Sequence, residues 1–182
     1  KMGNYAQARF NYKKATHLNS DDSHLNYKIA CTYMNEGNWE SAIKKLEVAL
    51  RIHRMQPEYN LAMGQCYLQL DKLDDAISSF GNVVRVRPKN ISGWTELLNS
   101  LYKAEMLEEA VEYAGFAFEQ TEGKPIFLFY KSAFLYALGK SKEALLNLEA
   151  GMNRNPKLVK KFIQINPALL QIQQVVDIIA RF

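Results

Sequence analysis

The sequence predicts an all-α fold, a solenoid of helix-turn-helix units closed by a C-terminal capping helix. Alanine recurs at Ala8, Ala42, Ala76, Ala110 and Ala144, one every 34 residues. Apolar side chains fall at three- and four-residue spacing on either side of each alanine, as amphipathic helices require. No segment alternates with the two-residue period of a strand. A fixed period of this length marks stacked supersecondary units, none of which can bury its apolar faces alone.

Further columns keep the same period. Four residues after each alanine stand Tyr12, Leu46, Phe80, Ala114 and Leu148, and seven after stand Ala15, Ala49, Val83, Ala117 and Gly151. Nine residues before come Tyr33, Tyr67, Leu101 and Leu135. A turn residue sits five before, as Gly3, Gly37, Asp71, Glu105 and Gly139. The alanines keep side chains small where paired helices approach most closely, and the larger columns fill the space between hairpins.

The elements follow in order. A helix near 4–18 is the second half of a partial first repeat, 1–22; the sequence opens inside its pattern, as expected of a segment of a longer array. Repeat 23–56 supplies helices near 23–36 and 39–53. Pro57 suits a first helical turn, where a missing N–H is harmless, and opens the helix near 57–70. Asp71 is expected to cap the helix near 72–86, and Pro88 ends repeat 57–90. Asn90 is expected to cap the helix near 91–103, which pairs with one near 106–119 in repeat 91–124. The pairs Asp74–Asp75 and Glu108–Glu109 fall in first turns, where carboxylates meet the positive end of the helix dipole. Pro125 precedes a helix near 125–138, which pairs with one near 141–153 in repeat 125–156.

After Pro156 the period stops. Leu158, Val159, Phe162, Ile163 and Ile165 suggest a short helix, and Asn166–Pro167 reads as a cap with proline in the first turn of a last helix, near 167–181. Residues 157–182 are therefore assigned to capping helices, since terminal units of solenoids must cover an exposed apolar face. The apolar set of the last helix is wider than one face, so self-association through it is a second reading.

Composition removes several function classes. Hydrophobic residues are 48% and charged residues 23% of 182, which suits a folded chain rather than a disordered one. No apolar run approaches a membrane span, so no membrane insertion is expected. The whole net charge of +4 sits in 151–182, and residues 1–150 are balanced; a basic body, as nucleic-acid binders show, is missing. Cys31 and Cys66 read as small, buried or half-buried side chains. Neither they nor His17, His24 and His53 have metal-ligand spacing. No phosphate loop, nucleophile elbow or catalytic pair is present. The expectation is a non-enzyme without metal or cofactor; the sequence leaves the compartment open, with the cytoplasm favoured over others.

Asn60, Met63, Gly64, Tyr67, Ala76, Phe80 and Pro88, with Trp94 and Leu97 of the following repeat, resemble the signature of the tetratricopeptide repeat (TPR) family. The resemblance covers about 1–156 and implies a right-handed superhelix whose first helices line a concave groove for a protein or peptide partner. Mapped onto this chain, the groove candidates are Tyr27, Cys31, Met34 and Asn35, then Glu58, Leu61, Gln65, Leu68 and Gln69. Thr95, Asn99, Tyr102 and Lys103 follow, then Ile126, Phe129, Ala133 and Tyr136, the last group open to being covered by the tail. The implied function is a protein-interaction scaffold; the alternatives are a structural or self-assembly segment and a regulatory appendage of an enzyme. The lysine–asparagine clamp that some members use for acidic chaperone tails is matched only at Asn99, so no such binding is expected. Two departures stand out. Leu98 occupies a small-residue position, which predicts a spread or tilted hairpin, and Lys131 replaces an apolar residue, which predicts a slight rotation of its helix.

Overall fold

Each hairpin turns at a residue in left-handed conformation, and the turn column of the sequence supplies it. The computed structural model describes residues 5–18 and 22–182. Gly37, Asp71, Glu105 and Gly139 have φ of 74°, 56°, 57° and 75°. At all four the same pair of bonds closes the preceding helix. The next amide donates five residues back, as Asn38 to Tyr33, Lys72 to Tyr67, Met106 to Leu101 and Lys140 to Leu135, at 2.9–3.0 Å. The left-handed residue itself donates three back, at 2.9–3.2 Å. This double bond satisfies carbonyls that a helix end otherwise orphans. Asp71 is thus a turn residue and not the expected cap; Lys72 holds the N-cap position and makes no side-chain cap bond. Gly3 and the side chains of Ala15 and His17 lie outside the described residues.

Eleven α-helices and no strand occur among the described residues. They are α1 (Tyr5–Leu18), α2 (Ser23–Asn35), α3 (Trp39–Ile52), α4 (Pro57–Gln69), α5 (Leu73–Val86), α6 (Ile91–Lys103), α7 (Leu107–Gln120), α8 (Ile126–Ala137), α9 (Ser141–Arg154), α10 (Val159–Ile165) and α11 (Gln173–Ile179). The chain divides into two compact units, Lys1–Arg87 with α1–α5 and Pro88–Phe182 with α6–α11.

In the first unit α2 pairs with α3 and α4 with α5, and α1 lies on α2. Asp22 Oδ1 accepts from the Leu25 amide at 2.9 Å and starts α2; Asn38 Oδ1 accepts from Ser41 at 3.1 Å and starts α3. Arg9 of α1 lies over the Tyr33 ring at 4.6 Å and pairs with Glu36. In the second unit Asn90 caps α6 as expected, its Oδ1 accepting from Gly93 at 2.7 Å. The Trp94 indole donates to the Pro88 carbonyl at 2.7 Å, which fixes the entry of the chain into that helix.

Inside each hairpin the packing is matched by volume. Ala42, Ala76, Ala110 and Ala144 are wholly buried. Sixteen residues apart in sequence, Ala30 goes with Leu46, Gly64 with Phe80, Leu98 with Ala114 and Ser132 with Leu148. A Cβ on Gly64 would lie 2.5 Å from Phe80 Cε1, so the ring occupies the space a side chain there would need. Leu98 and Ala114 reverse the sizes, and both are fully buried. The α6–α7 hairpin also meets along less of its length than the other three, in line with the spreading expected from Leu98. The Lys131 ammonium lies against α7 at Gly115, where no side chain competes for the space.

The tail corrects the expected last helix. Pro167–Gln171 is a 3-10 turn, Ile172 is extended, and only Gln173–Ile179 is α-helical. The burial pattern explains the break. Leu169, Val175 and Ile178 are all buried in one cluster. In a continuous helix, steps of six and nine residues from Leu169 would send Val175 and Ile178 to other faces. Breaking at Ile172 lets all three point inward. Helix α10 packs on α8 and α11 on α9, so the tail stands where a further hairpin would stack.

Candidate protein-binding face

The leading helices α2 and α4 lie side by side in the first unit, so side chains three and four apart on each form one shared face. A recess of about 230 Å³ opens there, lined by Tyr27, Cys31, Met34, Asn35, Glu58, Leu61, Ala62 and Gln65. Seven of these eight are sequence candidates. Ala62 was missed because its column shows no chemical theme, holding Lys28, Glu96 and Tyr130 in the other repeats. Leu68 and Gln69 do not line the recess.

The floor is apolar and rigid. Tyr27 stacks on buried Tyr59 at 4.9 Å between centroids, and the Tyr59 hydroxyl lies 3.3 Å from that of Ser23. Burial, reinforced by a hydrogen bond with the Cys31 thiol, pushes the Tyr27 phenol up to about 12. Burial also raises the Cys31 thiol and takes that of Cys66 to about 12, so neither offers a thiolate near neutral pH. Glu58 is held in place at one edge. Its carboxylate accepts from Arg87 at 2.6 Å and from Gln56 at 2.8 Å. A hydrogen bond to its own backbone, with help from Arg87 and Gln56, keeps Glu58 below the usual carboxylate range. Asn35 and Gln65 supply amides at the rim. The set can grip an apolar side chain and hydrogen-bond the backbone beside it.

The second unit treats the same columns differently. Tyr102 stacks on Phe134 at 5.3 Å, Asn99 hydrogen-bonds the Tyr130 hydroxyl, and Lys103 is exposed. Glu96, half-buried beside them, is raised by desolvation, with Lys103 and Lys161 acting against the rise. Thr95 turns its hydroxyl to the Ser92 carbonyl, and Ile126 is half-buried. Phe129 and Ala133 have no exposed surface, enclosed in one cluster by Leu148 and Met152 of α9 and by the tail; Phe129 packs on Phe162 at 6.4 Å between centroids. As the chain is folded here, neither can touch a partner. Tyr136 is half-buried against the same cluster.

Comparison with known proteins bears on the fold. Residues 1–83 match the family model described as anaphase-promoting complex, cyclosome, subunit 3. A crystal structure of MamA superposes with a TM-score of 0.74 at 17% identity, over 87% of this chain and 92% of that one. A crystal structure of YrrB, described as a TPR protein with an unusual peptide-binding site, gives 0.65 at 19% identity, over 91% and 96%. The chain thus has the helical-solenoid fold of a TPR protein. No curated protein sequence matches it. Among the described residues no helix is long and apolar enough to cross a membrane, and no three metal-binding side chains gather.

Proposed function

We propose that the chain is a non-enzymatic scaffold that holds a segment of a partner protein against the faces of its leading helices. The observation that carries this is the recess between α2 and α4. Seven of its eight lining residues are ones the family resemblance implies for partner contact, and they remain open to solvent at least in part. In this reading Tyr27 and Leu61 grip an apolar side chain, while Asn35, Gln65 and Gln69 bond the partner's backbone. Asn99, Tyr102 and Lys103 offer a more polar face in the second unit. Residues 1–156 are the binding array and 157–182 its cap. The peptide-binding site named for YrrB supports the same class of role.

The test is peptide selection by display on the full chain, followed by titration of the selected peptides. Leu61→Asp should weaken binding at least tenfold with an unchanged circular dichroism spectrum. Equal affinity for wild type and Leu61→Asp across the selected set would refute the recess as the site. A second reading, self-association, is favoured by the exposed apolar side chains Leu146, Leu170, Val176 and Phe182. Light scattering over a dilution series decides it, since a monomer throughout would remove it.

A further inference from the structure

On α2 and α4 the fifth, ninth and twelfth residues of each leading-helix register are Tyr27, Cys31 and Met34, and Leu61, Gln65 and Leu68. All six are partly open to solvent. The same register on α8 gives Phe129, Ala133 and Tyr136, of which the first two are wholly buried. They are enclosed on one side by Leu148 and Met152 of their own hairpin and, in place of a further repeat, by the chain's own tail through Phe162 of α10. We propose that this face of α8 is a second binding face, occupied here by the tail as an internal ligand, and that an amphipathic helix with an aromatic residue and an adjacent lysine takes the tail's place when it lifts.

Three features of the tail fit a detachable occupant. First, it is assembled from short pieces. Its two α-helices have seven residues each, and each follows a 3-10 turn, so neither would hold its shape without the surface beneath. Second, its ionic tether is slight. Arg181 reaches Glu149 at 3.6 Å with both side chains largely in solvent, where such pairs contribute little. Third, its fit is incomplete. Tyr136 packs against the cluster that the tail completes, and its hydroxyl is buried with no hydrogen-bond partner. A phenol closed over without an acceptor is a standing cost of the closed state, and a ligand bringing a carbonyl to that point removes it. The chemistry of the replacement can be read from the tail. Phe162 meets Phe129, while Lys161, exposed on the next position, acts electrostatically on half-buried Glu96 of α6. An aromatic with a cation beside it answers both.

The inference rests on the reading that leading-helix faces bind protein segments, but its test is separate. The probe is a fluorescein-labelled synthetic peptide of residues 156–182, titrated against the full chain by anisotropy. Wild type, its face filled, should bind weakly. Phe162→Ala, which loosens the chain's own tail, should bind the wild-type peptide at least tenfold more tightly, because apparent affinity scales with the fraction of open face. A peptide that itself carries Phe162→Ala should not bind either chain. Lys161→Glu changes only an exposed side chain and faces Glu96 with a like charge. It should give a smaller gain in the same direction, and it keeps the test open should Phe162→Ala lose helicity. Equal affinity for wild type and Lys161→Glu, or no binding to a Phe162→Ala chain of unchanged helicity, overturns the proposal. Recess-binding peptides would still bind in that event, so loss of this inference is distinguishable from loss of the scaffold reading.

Discussion

Gly64→Ala tests the account of hairpin packing. A methyl group on this residue would stand 2.5, 2.7 and 2.8 Å from three atoms of the Phe80 ring, well inside contact distance. The ring is fully buried and Ala76, which shares α5 with it, is equally enclosed, so neither yields without moving α4 from α5. Overpacking of this kind costs about 1–3 kcal/mol. Against it stands a gain of roughly 0.5–1 kcal/mol for alanine over glycine inside a helix. The net expectation is a loss of about 1–2 kcal/mol, read by urea denaturation followed by circular dichroism. The second arm decides whether volume is the cause. Gly64→Ala with Phe80→Leu recreates the Ala30–Leu46 pair of the preceding hairpin. The double variant should be more stable than the two single losses predict by about 1 kcal/mol or more, a coupling that only touching residues show. A neutral or stabilising Gly64→Ala, or strict additivity in the pair, would refute the reasoning.

Other outcomes follow from single features. Glu105→Gly should stabilise by roughly 0.5–1 kcal/mol in the same assay, since a φ of 57° burdens any side chain and glycine adopts it freely. Gly139→Ala, at 75°, should do the reverse. Asn90→Ala should cost about 1 kcal/mol through loss of the cap on α6. Stability should fall as pH rises from about 9 toward 12. The folded chain holds the Cys66 thiol and Tyr27 phenol protonated up to about 12, whereas in the unfolded chain both lose protons earlier, so the unfolded state binds fewer protons in that window. A flat denaturation midpoint from pH 8 to 11 would contradict this. The Cys66 thiol should also resist alkylation at pH 8 until the chain is unfolded.

Most of the fold was legible because repetition turns one chain into several aligned copies. Nine helices follow from the 34-residue columns, and the turn column marks the left-handed residue of each of the four hairpin turns. What that column could not tell was which role Asp71 plays. Aspartate is a good N-cap and a tolerable left-handed residue, and only the bond from Lys72 back to Tyr67 separates the two. The tail lies beyond the period, so 167–181 reads as one continuous helix, whereas burial of Leu169, Val175 and Ile178 together requires a break. The recess was legible for the same reason as the fold, through register. For Phe129 the sequence left two outcomes open, groove or cover by the tail, because its column neighbours are open and the covering residues, Phe162 to Ile178, lie outside the pattern.

Internal comparison also separates the positions that packing dictates from those it leaves free. Across the hairpins the paired positions trade volume: where the leading helix is small the trailing one is large, and Leu98 with Ala114 reverses the rule without breaking it. The face columns obey no such constraint. One runs Tyr27, Leu61, Thr95 and Phe129, another Cys31, Gln65, Asn99 and Ala133. Side chains that keep part of their surface open can differ from repeat to repeat at little cost to the fold. Phe129 and Ala133 are the pair in these columns that tight packing does govern, a ring above a residue too small to obstruct the helix lying on it. Gly151, where a Cβ would come within 3.0 Å of the same ring, completes that accommodation from α9. The α8 face is shaped for an aromatic partner, and the tail is what now provides one.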